Sequence, residues 1–455
     1  MSQQRRQNKG VLYALLAVLA LLVLCFCVLL LLGAYLLASG RISLGEPTAT
    51  APPPSTPVAV TTALPVTPAS TEITPAPESA ETPEAGLGIE LANVYSDPNE
   101  FFTLRYPAGW LERKSRVEMQ FRPDKDSSAL LAVSLQIKFL SAKNLVDDMS
   151  SFLAGKWGDY REEGREAITI SGYEAVLVRQ VYQLDGAAYR GFILGLVRNR
   201  VGYLILAQAP ADQYLQLEPT FRAIAASLQV REWPEAPAYD QWLQRESEHF
   251  IFHYLPNTYV AEDIKRIARD HEDVFADIAG RLSLEYEGPI HIYFYPSKQA
   301  LYRSTARDSG FAINEASEVH TLWVSADEHQ SLGHEMTHVI TYWEWGEPSE
   351  ALLGEGIAVC LDHARPAPHR RAAALLEEGR LVPLSDALGE AWFEQDPAVM
   401  YPQSGSFVCY LLEEYGWASV KEVYNRDDFE VALEEVLGLS LKQIETGWLD
   451  TLTKR

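Results

Sequence analysis

Cysteine is scarce, four in 455 residues. Cys25 and Cys27 fall inside an apolar run, which leaves Cys360 and Cys409 for the folded part. Two cysteines cannot build a disulfide scaffold, and the chain has apolar residues enough to form cores without one. The pair can make one bridge, but Cys is often a small buried hydrophobe, so two buried free thiols is the preferred reading. Clustered basic residues are lacking too. Lys and Arg number 38 against 62 Asp and Glu, for a net charge of −24. Arg5, Arg6, Lys9 and Arg41 give the first 45 residues +4, so the remainder carries −28. Phosphate binding needs gathered Lys and Arg, and this balance argues against nucleic acid as a partner.

Residues 11–38, "VLYALLAVLALLVLCFCVLLLLGAYLLA", lack any charge. At a helical rise of about 1.5 Å per residue this run exceeds the ~30 Å hydrocarbon core, and it is longer than the roughly 7–15 apolar residues of a signal peptide. The small residues Ala38, Ser39 and Gly40 offer a cleavage-like site, but the length favours a transmembrane helix. Arg5, Arg6 and Lys9 precede it, so residues 1–10 are expected in the cytoplasm and the later domains outside, in a single-pass protein of the cell membrane. Residues 39–89 are rich in Pro, Thr, Ala and Ser, without hydrophobic periodicity. Such a segment cannot bury enough apolar surface to fold, and its prolines make it a semi-stiff spacer.

Residues 90–230 are expected to form an α+β domain. "FFTLRY" (101–106), "ALLAVSLQIKF" (129–139), "YEAVLVRQVYQL" (173–184), "YRGFILGLV" (189–197) and "GYLILAQA" (202–209) have the alternation of strands, with helical stretches near 142–156 and 212–227. An antiparallel sheet packed by helices follows. "FFTLRYPAGW" (101–110) and "LEPTFRAIAASLQV" (217–230) resemble the PsbP/Mog1-like family, which implies a binding or accessory role. No acid/base pair, phosphate loop or metal spacing occurs in this segment, so a packing module, or one that holds a partner protein, is expected.

Residues 231–244 read as a linker, and 245–455 as a second α+β domain with a helical C-terminal half. Strands are expected at "HFIFHYLP" (249–256), "PIHIYFYP" (289–296) and "VHTLWVS" (319–325), and a long helix over 258–282. The last of these strands is expected at a sheet edge, open to pairing with an extended peptide. The other histidines, His271 among them, show no second metal spacing and are expected to be ordinary.

The chemistry sits in "SLGHEMTHVITYW" (331–343). Leu332, Met336, Val339, Ile340 and Trp343 mark the apolar face of a helix. His334 and His338, one turn apart, project from one side, so both imidazoles can reach one ion at about 2.0–2.1 Å. Glu335 stands where a general base for a metal-bound water is needed. Glycines flank Glu355 in "LLGEGIA" (352–358), 17 residues beyond His338, and their small size would let this helix approach the first one closely. The two motifs together resemble the gluzincin branch of zinc metallopeptidases, where a Glu in such a stretch is the third ligand, with Leu352 in place of the usual Trp. "SEHFIFHY", "IHIYFYPS" and "YPQSGSFVCYLLEEYG" (401–416) extend the likeness to peptidase MA-like domains over about 245–455. The resemblance implies a membrane-anchored extracytoplasmic metallopeptidase acting on a peptide or protein substrate. Zn2+ would be held by His334, His338 and Glu355, with Glu335 as base and Tyr401 at the oxyanion. Asp362, seven residues past Glu355, would lie on the same helix face and orient a ligand histidine.

"SGFAINEASEVHTLWVS" lacks the Gly-x-Met-Glu-Asn stretch of M1 aminopeptidases, which puts amine capture in doubt. The flanks "ADEHQ" and "EWGEPSE" are too polar for an intramembrane protease. The alternative is a peptidase-like zinc-binding domain of little or no activity, used for surface binding or assembly.

Overall fold

The computed structural model describes residues 89–115, 118–330, 332–363 and 367–454. The expected cytoplasmic tail, the transmembrane helix 11–38 and the spacer up to residue 88 lie outside these residues. Among the described residues no helix is long and apolar enough to cross a membrane.

The first layer is an antiparallel sheet of seven strands, in the order β3 (Leu111–Lys114), β4 (Met119–Arg122), β5 (Leu130–Ile137), β9 (Val201–Pro210), β8 (Ala187–Arg198), β7 (Tyr173–Leu184) and β6 (Gly158–Ile170). A smaller sheet joins β1 (Asn93–Ser96), β2 (Phe102–Tyr106) and β10 (Gln229–Val230). Alternation along β8 sends Phe192, Leu194 and Leu196 to one core and Ile193 to another. Helix α2 (Ala211–Ala226) covers the first core with Phe221 and Ile224, and α1 (Ala142–Lys156) covers the second with Leu145, Val146 and Leu153. Ser141 caps α1, its hydroxyl accepting from the Asn144 N–H.

The second sheet is mixed, ordered β11 (Leu243–Glu246), β12 (Phe250–Tyr254), β13 (Ile290–Tyr295), β15 (Glu318–Leu322) and β14 (Phe311–Ile313). Strands β12, β13 and β15 run parallel, because α3 (Tyr259–Leu282) crosses between the first two and α4 (Lys298–Thr305) between the next. One face of this sheet is apolar, with Phe250, Phe252, Ile292 and Phe294 against Ile267, Val274 and Ile278 of α3. On the other face, rings from successive strands stack: Phe311 on His320 at 4.6 Å, His320 on Tyr293 at 4.7 Å, Tyr293 on His253 at 4.2 Å. Tyr239 and Trp242, from the stretch expected as a linker, pack onto this ladder.

One expectation about this sheet needs correction. Strand β15 is not an edge: it lies between β13 and β14, and all five of its residues are buried. The three-residue β14 was too short to signal itself, and it takes the outer position. Past β15 the chain also folds back on itself, Trp323 bridging to His329.

The C-terminal half is helical: α5 (His334–Trp345), α6 (Ala351–Cys360), α7 (Pro368–Glu377), α8 (Pro397–Tyr424, broken at Gly416 with φ 76°), α9 (Phe429–Leu437) and α10 (Leu441–Thr453). Cys360 and Cys409 are bridged, with Cα atoms 5.4 Å apart, against the preference for two free thiols. The bridge ties α6 to α8. The interhelical approach that brings two cysteines, 49 residues apart in sequence, within bonding reach is a tertiary fact that composition does not contain.

Candidate metal centre

Helix α5 presents its apolar side, Met336, Val339 and Ile340, to the core. Trp343, expected on that face, is 53 % exposed and donates its ring N–H to the Asn314 carbonyl, while Trp345 is buried instead. Trp345, the last residue of α5, lies off the three- and four-residue ladder of Met336, Val339 and Ile340 and is buried by an edge-on contact with Tyr424. The opposite side of α5 carries His334 and His338.

Three donor atoms converge there. His334 Nε2 lies 3.3 Å from His338 Nε2, and Glu355 Oε2 lies 3.2 Å from the first and 3.6 Å from the second. The triangle is almost equilateral. Its sides are close to the edge of about 3.3–3.4 Å that a tetrahedron has when its vertices stand ~2.0–2.1 Å from the centre, the bond length of zinc to imidazole. Glu355 Oε2 is shut off from solvent and has no hydrogen bond of normal geometry. A buried carboxylate oxygen aimed at two imidazole nitrogens is a costly arrangement unless a cation completes it. The donor set of two imidazoles and a carboxylate therefore fits zinc. One side-chain ligand atom of Glu335 stands within 4.8 Å of those of the two histidines.

Glu355 reaches this point because α6 lies deep in the helical half. A Cβ on Gly356 would stand 2.7 Å from the Ser404 carbonyl oxygen, and one on Gly405 would stand 2.3 Å from Val359 Cγ1. The glycine beside the carboxylate therefore serves an approach to α8, not the expected approach to α5. Burial alone would raise the Glu355 carboxyl, but His334 and His338 outweigh it and hold it far below the carboxylate range. Burial would lower His334, and the Glu355, Glu335 and Asp362 carboxylates together raise it.

A cleft of about 210 Å³ opens beside the three donors, lined by Gly310, Gln330, His334, Glu335, Asp362 and Tyr401 among others. Tyr401, near the start of α8, has its ring centroid 6.0 Å from that of His334 and 5.3 Å from Trp392. Asp362 is buried and lines the same cleft, but not from a helix face: α6 ends at Cys360, and Asp362 lies just beyond it. Of the six residues singled out in the sequence, His334, Glu335, Asp362 and Tyr401 line this cleft, and His338 and Glu355 join His334 in the donor triangle beside it. Sequence reasoning missed Ser309, Gly310, Gln330 and Arg371, which also line it. The first two belong to "SGFAINEASEVHTLWVS", and its position ahead of α5 was the available signal.

No family model matches the chain, and neither does any curated protein. Among solved structures, the cyanobacterial PsbP of Synechocystis sp. PCC 6803 aligns at 15% identity and TM-score 0.27, covering 33% of this chain and 99% of that one. A Mog1 mutant aligns at 8% identity and TM-score 0.25, covering 30% and 95%. A crystal structure from Bacteroides thetaiotaomicron VPI-5482 aligns at 11% identity and TM-score 0.26, covering 60% and 78%. PsbP-like and Mog1 folds are thus among its structural neighbours.

Proposed function

We propose that the chain is a zinc metallopeptidase of the gluzincin type, anchored in the membrane by residues 11–38 and acting outside the cell. The observation that carries this reading is the convergence of His334, His338 and Glu355 on one point with Glu335 beside it. Zinc bound there would polarise a peptide carbonyl and bring the pKa of a bound water toward ~7. Glu335 accepts the proton that water gives up and returns it to the departing amine. Tyr401, which lines the cleft, would donate its hydroxyl toward the oxygen on which charge develops. Asp362 adds negative charge near His334 and favours an oriented imidazole.

Glu335→Gln separates holding the metal from using it. The variant should retain zinc and lose cleavage of casein and of mixed peptide pools by about 10²–10⁴-fold, the usual contribution of a positioned acid–base group. Unchanged turnover in Glu335→Gln would refute this mechanism.

A further inference from the structure

Lys138 and Arg307 are far apart in sequence and share one aromatic ring. Lys138 follows β5 with φ 69°, and Arg307 follows the left-handed turn at Ala306 that ends α4. Lys138 Nζ lies 5.8 Å from the centroid of Phe311, and the Arg307 guanidinium carbon lies 4.9 Å from it. Phe311 opens the outermost strand β14, and the two residues before it, Ser309 and Gly310, line the cleft with His334 and Glu335. The cations therefore flank the run of chain that enters the cleft wall.

Neither cation makes an ion pair with a carboxylate among the described residues. Burial and the neighbouring Arg307 charge pull the Lys138 ammonium down, while Glu335, Glu315 and Glu355 act on it from longer range. In a chain with 62 acidic side chains, two like charges gathered on one ring without a close partner form a disfavoured arrangement. Stacking on the ring offsets part of the repulsion, and an anion between the two cations would relieve the rest.

The geometry points to a carboxylate-binding subsite made by Lys138 and Arg307 over Phe311, so that the preferred substrates are peptides with an Asp or Glu side chain near the scissile bond. This rests on the peptidase reading for what passes through the cleft. It also gives the first domain a direct part in selecting substrate, because Lys138 belongs to that domain.

The test measures binding apart from cleavage. Full-length Glu335→Gln chain, with or without the added pair Lys138→Glu and Arg307→Glu, is titrated into fluorescent peptide pools by anisotropy. One pool is acetylated, amidated and rich in Glu; the second has Gln in place of Glu; the third is the Gln pool with a free C-terminus. The Glu pool should bind about tenfold more tightly than the Gln pool at low salt, with the gap closing as salt screens it. Charge reversal should abolish the preference, and Lys138→Gln alone should reduce it in part. Equal binding of the Glu and Gln pools, or a preference untouched by reversal, would overturn the subsite. Tight binding of the free-C-terminus pool alone would overturn its assignment to a side chain. Selectivity without any cleavage by the wild-type chain would sink the peptidase reading and leave the subsite standing; cleavage without selectivity would do the reverse.

Discussion

Arg200 holds Glu318 with two N–H groups: Nε lies 2.7 Å from Oε2, and Nη2 meets Oε1. Arg200 sits in the β8–β9 turn of the seven-stranded sheet with φ 72°, and Glu318 begins β15 of the mixed sheet, the strand that precedes α5. Glu318 is buried and also faces His320 Nε2 at 3.3 Å. Burial would raise its carboxyl, but His320 and Arg200 hold it at about 2.

Removing the arginine strands a buried carboxylate. Arg200→Ala should therefore cost roughly 3 kcal/mol of stability, more than an exposed pair is worth. Replacing both partners by Leu should cost less than the single change. Urea denaturation of the three proteins checks the order. Equal stability of wild type and Arg200→Ala would show that the two sheets are not clamped here.

Acid should loosen the fold in two stages. His271 is buried in α3, and burial depresses it to about 4; burial, with the neighbouring His291 charge, does the same to His253. The unfolded chain takes these protons near pH 6.5, whereas the folded one resists until about 4, so stability is complete above about 6.5 and falls as pH drops toward 4. Glu318 has the depressed pKa of a paired carboxylate, so its contribution is present above about 4.5 and is lost as pH falls toward 2. Denaturation midpoints at pH 7.5, 5.5 and 4.5 should decline in order, and His271→Leu should flatten the first part. A midpoint independent of pH would contradict the burial of these rings as neutral groups.

Gly356→Ala should damage structure and metal site together. The new methyl would stand 2.4 Å from Val408 Cγ2 as well as close to the Ser404 carbonyl, so α6 and α8 must part. Overpacking of this kind costs about 1–3 kcal/mol. Since Glu355 is the preceding residue, metal affinity should fall with it. Thermal unfolding and a competitive chelator titration measure the two effects, and an unaffected affinity would show that Glu355 tolerates movement of its helix.

Local pattern made much of this legible. β7 spans the 173–184 read from alternation, and α3 begins one residue from the expected start. The His334/His338 spacing and the glycine-flanked Glu355 pointed to one site because helical geometry relates residues on one side directly. The thirteen-residue β6 was missed, since six residues of its sequence GDYREEGREAITI are charged and most of the strand is exposed. It is the outermost strand of its sheet, where charges guard an open edge and hide the alternation. The interior place of β15, the Cys360–Cys409 bridge and the shared ring under Lys138 and Arg307 depend on contacts between distant segments. No local period encodes those.

Metal content of the full-length chain after dialysis, wild type beside Glu355→Ala, tests the central claim most directly. About one zinc per wild-type chain is expected, with zinc lost and the fold retained in Glu355→Ala, because two imidazoles alone hold the ion far less well than three ligands. A well-folded wild-type chain that takes up no zinc, or a Glu355→Ala chain that holds it equally well, would contradict the claim that these three residues form a metal centre.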